Sequence, residues 1–191
     1  MDERAGMGNS WSPDGKRLAF RSNAPETGSD IWVLSLDEGP SPFLATPAHE
    51  DGPMFSPDGR FLAYVSDESG RAEVYVQLYP GPGGKVAISI GGGRAPVWSP
   101  EGSEIFYRGL NQAQMMAVAV ATDPTFEPGR PQTLFDGLYV AASPGDPHYD
   151  ISRDGKRFLM IDEGVVEGGA PAQIMVTLNW FQELERLVPT K

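Results

Sequence analysis

The chain has 191 residues, with 15 Lys plus Arg against 26 Asp plus Glu, and a formal charge of −11. That balance excludes a nucleic-acid binder, which needs a basic face to displace counterions. The absence of cysteine excludes disulfides, thiolate metal sites and cysteine nucleophiles.

The start, MDERAGMGNS, is polar and has no apolar h-region, and no run approaches the roughly 18 apolar residues of a membrane span. The chain reads as soluble, without membrane insertion, and cytoplasmic as it stands; an extracytoplasmic setting stays open for a longer parent.

The first element after this start is a turn, WSPDGKRLAFRSN from Trp11, and its phrase returns three times. FSPDGRFLAYVSD starts at Phe55, WSPEGSEIFYRGL at Trp98 and ISRDGKRFLMIDE at Ile151, at intervals of 44, 43 and 53 residues. A period of this size marks a repeat architecture and outranks local assignments. In the first copy, residues 1–10 supply one strand, the run after the turn a second, and DIWVLSL a third.

The second copy is the clearest. Ser56-Pro57-Asp58-Gly59 is turn chemistry, with proline presetting φ and glycine taking the left-handed position. Period-two runs flank it, Pro53 to Phe55 before and Phe61 to Val65 after, which is a hairpin signal. A third strand over 73–78 and a fourth over 85–90 follow, divided by PGPGG.

The third and fourth copies align position for position. Leu18, Leu62, Ile105 and Phe158 share one place; Ile31, Val74, Met115 and Ile174 share another; Trp32, Tyr75, Met116 and Met175 share a third. Apolar residues on both faces of these strands require a sheet covered on both sides. Four-stranded meanders stacked radially provide that cover. The fold class is therefore all-β, a β-propeller of four blades at about 1–46, 47–91, 92–136 and 137–180. A short C-terminal helix at 181–188 ends it, with Phe181, Leu184 and Leu187 on one side.

The motifs WSPDGKRLAF with DIWVLSL, and PMFSPDGRFLAY with EVYVQLY, resemble the TolB-type (WD40-like) propeller repeat over essentially the whole chain. The later stretches GRPQTLFDG, DISRDGKRFLMI and LNWFQELERLVPT resemble the carboxyl end of bacterial sensor regions that follow serine/threonine kinases or winged-helix regulators. Arg153 departs from the repeat, which has proline there; Asp154-Gly155 remain to make the turn. Kinase signatures are absent from this sequence. Closed propellers have about four to eight blades, and the last blade lacks its outer strand. A homodimer forming an eight-bladed ring is the expected assembly.

Candidate chemistry sits in the loops from an outer strand to the next inner one, which open on one face near the channel. Both histidines fall there, His49 in AHEDGPMF and His148 in GDPHYDI. With Glu50, Asp51, Asp146 and Asp150 they form a candidate site for a divalent metal (Zn, Mn or Ca), because imidazole beside carboxylate suits such ions. No H-E-x-x-H spacing occurs, and a solvated polar turn is the competing reading.

Ser12, Ser56 and Ser99 are turn residues, and no G-x-S-x-G elbow exists. Asp30, Asp67, Glu68 and Glu73 cluster at strand joins and read as a solvated rim ahead of a calcium site. Trp11, Trp32, Tyr75 and Trp98 read as core, and the glycines at 91–93 as a flexible loop. The sequence supports a sensor or scaffold module that binds a ligand or protein. The alternative is a metal-dependent hydrolase of esters or phosphoesters, with no catalytic residue identified.

Overall fold

A computed structural model of the chain describes residues 6–24, 26–81, 83–142 and 147–162. Fifteen strands and no helix occur among them. The first sheet runs β1 (Gly6–Trp11), β2 (Arg17–Ala24), β3 (Gly28–Ser35) and β4 (Gly39–Leu44), in that order across the sheet. The second repeats it with β5 (Glu50–Phe55), β6 (Phe61–Ser66), β7 (Glu73–Leu78) and β8 (Lys85–Ala87).

In the third sheet β9 (Gly93–Trp98), β10 (Glu104–Gly109) and β11 (Gln114–Ala121) pair in order, and the outer strand is split into β12 (Glu127–Pro128) and β13 (Gln132–Asp136). A proline and a glycine between those halves, Pro131 and Gly129, account for the break, since neither supports a continuous ladder. In the fourth, β14 (Tyr149–Ile151) pairs with β15 (Phe158–Met160). The expected third strand of that blade, Ile174 and Met175, and the helix at 181–188 lie outside the described residues.

The turns between the first two strands of the first, second and fourth sheets are built the same way, and the third, with Glu101 in place of aspartate, keeps the serine-to-backbone bonds. Ser56 accepts the Phe61 N–H at 3.0 Å and donates its hydroxyl to Asp58 at 2.5 Å, while Asp58 accepts the Arg60 N–H. Gly59 has φ 73° and donates its N–H to the Ser56 carbonyl. The serine thus satisfies backbone groups that a hairpin end would otherwise bury unpaired. The fourth turn closes with the same bonds, Ser152 N–H to Arg157 O and Gly155 N–H to Ser152 O, despite Arg153.

The sheets stack face to face in chain order. Ala19 and Val33 of the first pack on Phe55 and Leu62 of the second. Val74 and Val76 of the second pack on Ile105 and Tyr107 of the third. Phe106 and Met115 of the third meet Tyr149 and Phe158 of the fourth. The turns stack as well: Pro13 lies beside Gly59, Pro57 beside Gly102, and Pro100 beside Gly155. Gly15 has no such neighbour among the described residues.

Among the described residues no sheet precedes the first one there, and its side chains show it. Trp98 is 5% exposed and Phe55 6%, whereas Trp11 at the matching place is 54% exposed. Trp11 is thus not the core residue expected from its sequence, because no described blade covers it.

Candidate functional site

Antiparallel meanders put the serine-aspartate turns at one end of the molecule. The β2–β3 and β10–β11 hairpins and the outer-to-inner loops lie at the other. Both histidines lie at this loop end. The His49 ring lies against Gly28, so close that a Cβ there would sit 2.7 Å from it, and its Nδ1 is 3.5 Å from the Ser29 hydroxyl. Its backbone N–H donates to Asp67 at 2.8 Å. His148 has φ 53°, and its Nδ1 is 2.8 Å from the Ala141 carbonyl, two sheets away from His49.

Among the described residues, no three His, Asp or Glu side chains come together in a metal-ready group. Asp51 lies 3.8 Å from the Arg21 guanidinium, and Asp150 is exposed and accepts the Ile151 N–H. Asp146 lies outside the described residues.

Glu50 stands apart from these. It is 1% exposed, and the Thr46 hydroxyl donates to one of its oxygens. Burial pushes its carboxyl above the usual range; the Thr46 bond opposes this and the charge of Asp30 adds to it. Asp30 is itself buried, so the expected solvated rim does not form there. Glu73 is buried too, because the neighbouring blade closes over both. Burial pushes Glu73 up, but the Ser89 hydroxyl and the Arg71 guanidinium outweigh it and hold the carboxyl below its usual value. Arg71 Nε donates to Glu73 at 2.8 Å.

The same end carries three apolar side chains that are each more than half exposed: Ile90, Leu110 and Leu138. The loops that carry them adjoin one another. Leu110 lies over Gly92, where a Cβ would be 2.7 Å from it, and Gly92 is two residues from Ile90. The Gly137 N–H, beside Leu138, donates to Ala113 O in the β10–β11 hairpin that Leu110 opens.

The glycines of 91–93 are thus packing elements as well as a loop. A Cβ at Gly93 would sit 2.6 Å from Ser89 and 3.0 Å from Tyr107. The sequence placed Ile90 at the end of a strand over 85–90, but that strand ends at Ala87; Leu110 and Leu138 went unremarked because isolated apolar residues in loops carry no periodic signal. The available hint was an apolar residue inside glycine- or asparagine-rich turns, as in SIGGG and GLNQ.

Comparison with known proteins matches residues 4–132 to the TolB beta propeller domain. An uncharacterized peptidase, YuxL, from Bacillus subtilis is 32% identical over 103 residues, covering 50% of this chain and 16% of that protein. An uncharacterized protein, Atu1656, from Agrobacterium fabrum is 25% identical over 158 residues, covering 79% of this chain and 53% of its own length. The chain thus spans at most about half the length of these relatives.

Among solved structures, a TolB-type protein from Agrobacterium tumefaciens superposes with a TM-score of 0.67 at 22% identity, over 84% of this chain and 59% of that one. A puromycin-hydrolyzing peptidase from Mycobacterium tuberculosis superposes at 0.57 and 22%, over 78% and 27%. At such identities the likeness to these structures is one of fold.

Proposed function

The chain belongs to the TolB β-propeller domain family, and on that premise we propose that it is a binding and scaffold module whose loop end engages a protein segment. The observation that carries this is the apolar cluster Ile90, Leu110 and Leu138, displayed on turns anchored to buried sheets. Exposed apolar groups gathered on adjoining loops mark interaction sites. The formal charge of −11 favours a partner that is basic as well as apolar.

The peptidase-like relative supports a modular role, since the matched stretch is 16% of that protein. Catalysis through His49, His148 and nearby carboxylates is the competing reading, and no cluster of the described residues favours it.

An array of basic, apolar peptides probed with the intact chain tests the proposal. Leu110→Asp and Leu138→Asp should each abolish binding. Leu36→Asp, equally exposed but beside the serine-aspartate turns at the opposite end, should not. Peptide binding indifferent to both loop-end changes sinks the reading, and chelator-sensitive ester hydrolysis that needs His49 replaces it with the catalytic one.

A further inference from the structure

At the end that carries the serine-aspartate turns, the second and third sheets part around an open cavity of about 330 Å³. One wall is a face of the second sheet. Phe61 pairs with Leu78 across β6 and β7, and Val76 pairs with Val86 across β7 and β8. Val76 and Leu78 are two residues apart, so all four side chains project to that face. Phe126, between β11 and β12, forms the opposite wall, with its ring 5.1 Å from that of Phe61. Arg60 lines the cavity as well, its guanidinium 5.3 Å from the centre of the Phe61 ring.

The repeat does not account for this apolar lining. The cross-strand pair Phe61–Leu78 is Arg17–Ser35 in the first sheet and Glu104–Ala119 in the third. The place of Val86, opposite Val76, is held in the first sheet by Ser41, opposite Val33. A filler is missing too. Tyr79 and Val120 hold one place, donating their N–H groups to the carbonyls of Arg60 and Ser103, each just before its cross-strand pair. At the first junction the Tyr79 ring closes on Phe55 and Phe43, at 5.1 and 5.7 Å. At the second junction the smaller Val120 leaves space that Phe126 fills only in part, and Leu78 stays 40% exposed.

The walls and the one charge define what fits. A concave apolar site takes an apolar body, and this volume lies near the low end of the roughly 300–1,000 Å³ of ligand pockets, which suits one or two rings. Flat rings pack well against Phe61 and Phe126. Arg60 is the only charged side chain among the described residues that line the cavity. It lies 3.8 Å from Asp58, with both side chains well exposed, and such a pair contributes little. Asp58 is already held by the Ser56 hydroxyl and the Arg60 N–H. The guanidinium is therefore open to a carboxylate, whose two oxygens match its fork. The formal charge of −11 opposes a ligand with more than one negative charge.

We propose that this cavity binds a small aromatic monocarboxylate, with its rings against Phe61, Leu78, Val86 and Phe126 and its carboxylate on Arg60. The site is at the opposite end from Ile90, Leu110 and Leu138 and does not depend on a peptide binding there.

Titration of the intact chain with naphthoate, followed by methyl NMR, tests this. Shifts should concentrate at Val76, Leu78 and Val86 and saturate with a Kd of roughly 0.1–1 mM, as a ligand of that size allows. Arg60→Gln, at an exposed position, should keep the fold and weaken naphthoate more than fivefold, while neutral naphthalenemethanol binds as before. Val86→Trp fills the cavity from a half-exposed position and should abolish binding of both, with an unchanged circular dichroism spectrum. Leu110→Asp should alter neither.

The absence of saturable shifts at these methyls up to about 5 mM naphthoate overturns the proposal. Naphthoate binding that survives Val86→Trp overturns it as well. Equal weakening of acid and alcohol in Arg60→Gln refutes recognition of the carboxylate.

Discussion

Tyr149→Phe removes one oxygen atom from the join between the third and fourth sheets. The Tyr149 hydroxyl donates to the Ala95 carbonyl at 2.7 Å and lies 3.2 Å from the Phe106 carbonyl. A phenol has one proton, so the shorter contact carries most of the bond. The ring keeps its packing against Phe158 and the Val97–Phe106 cluster. One good hydrogen bond contributes about 0.5–1.5 kcal/mol net, and leaving a shielded carbonyl unpaired adds to the loss. The change should therefore cost about 1–2 kcal/mol.

Burial pushes the phenol far above its ordinary pKa, so it remains a donor throughout the working range and the cost should not vary with pH. The described fourth sheet is a single pair of strands and should open locally before the rest. Amide exchange at Phe158 and Leu159 should accelerate about 5–30-fold, the equivalent of that energy, while Tyr64 in the second sheet exchanges as before. Equal exchange at Leu159 in both proteins would refute the role of the hydroxyl as the tie between the sheets.

Two further outcomes are expected. Glu50 should make the fold less stable as pH rises. Its folded carboxyl holds a proton more tightly than the unfolded one, so its contribution is present at low pH and is lost from the ordinary glutamate value of 4.5 upward through the folded value. Urea titrations across that window should show wild type falling relative to Glu50→Gln, and a constant difference would contradict the buried acid pair. The bare face around Trp11 should be covered by a second copy, so light scattering should return twice 20.6 kDa and Trp11→Glu should return the single mass; a wild-type monomer at every concentration would count against the dimer.

The sequence by itself determined the sheets, their order and their turns. Hairpin formation is short-range: Ser56, Asp58 and Gly59 close a turn with atoms within five residues of one another, and a period near 43 residues repeats the result. Alternating Leu62, Tyr64, Val74 and Val76 required cover on both faces, and stacking supplied it.

What only the tertiary structure decided was which polar groups lost their water. Asp30, Glu50 and Glu73 look alike as acidic residues near strand ends, yet all three are buried. Arg71 and Ser89 satisfy Glu73, while no guanidinium among the described residues pairs with Asp30 or Glu50. Trp11 and Trp98 hold the same place in the repeat but differ from 54% to 5% in exposure. Burial is set by the neighbouring blade, and a local pattern carries no information about whether that neighbour is present or what charge it brings.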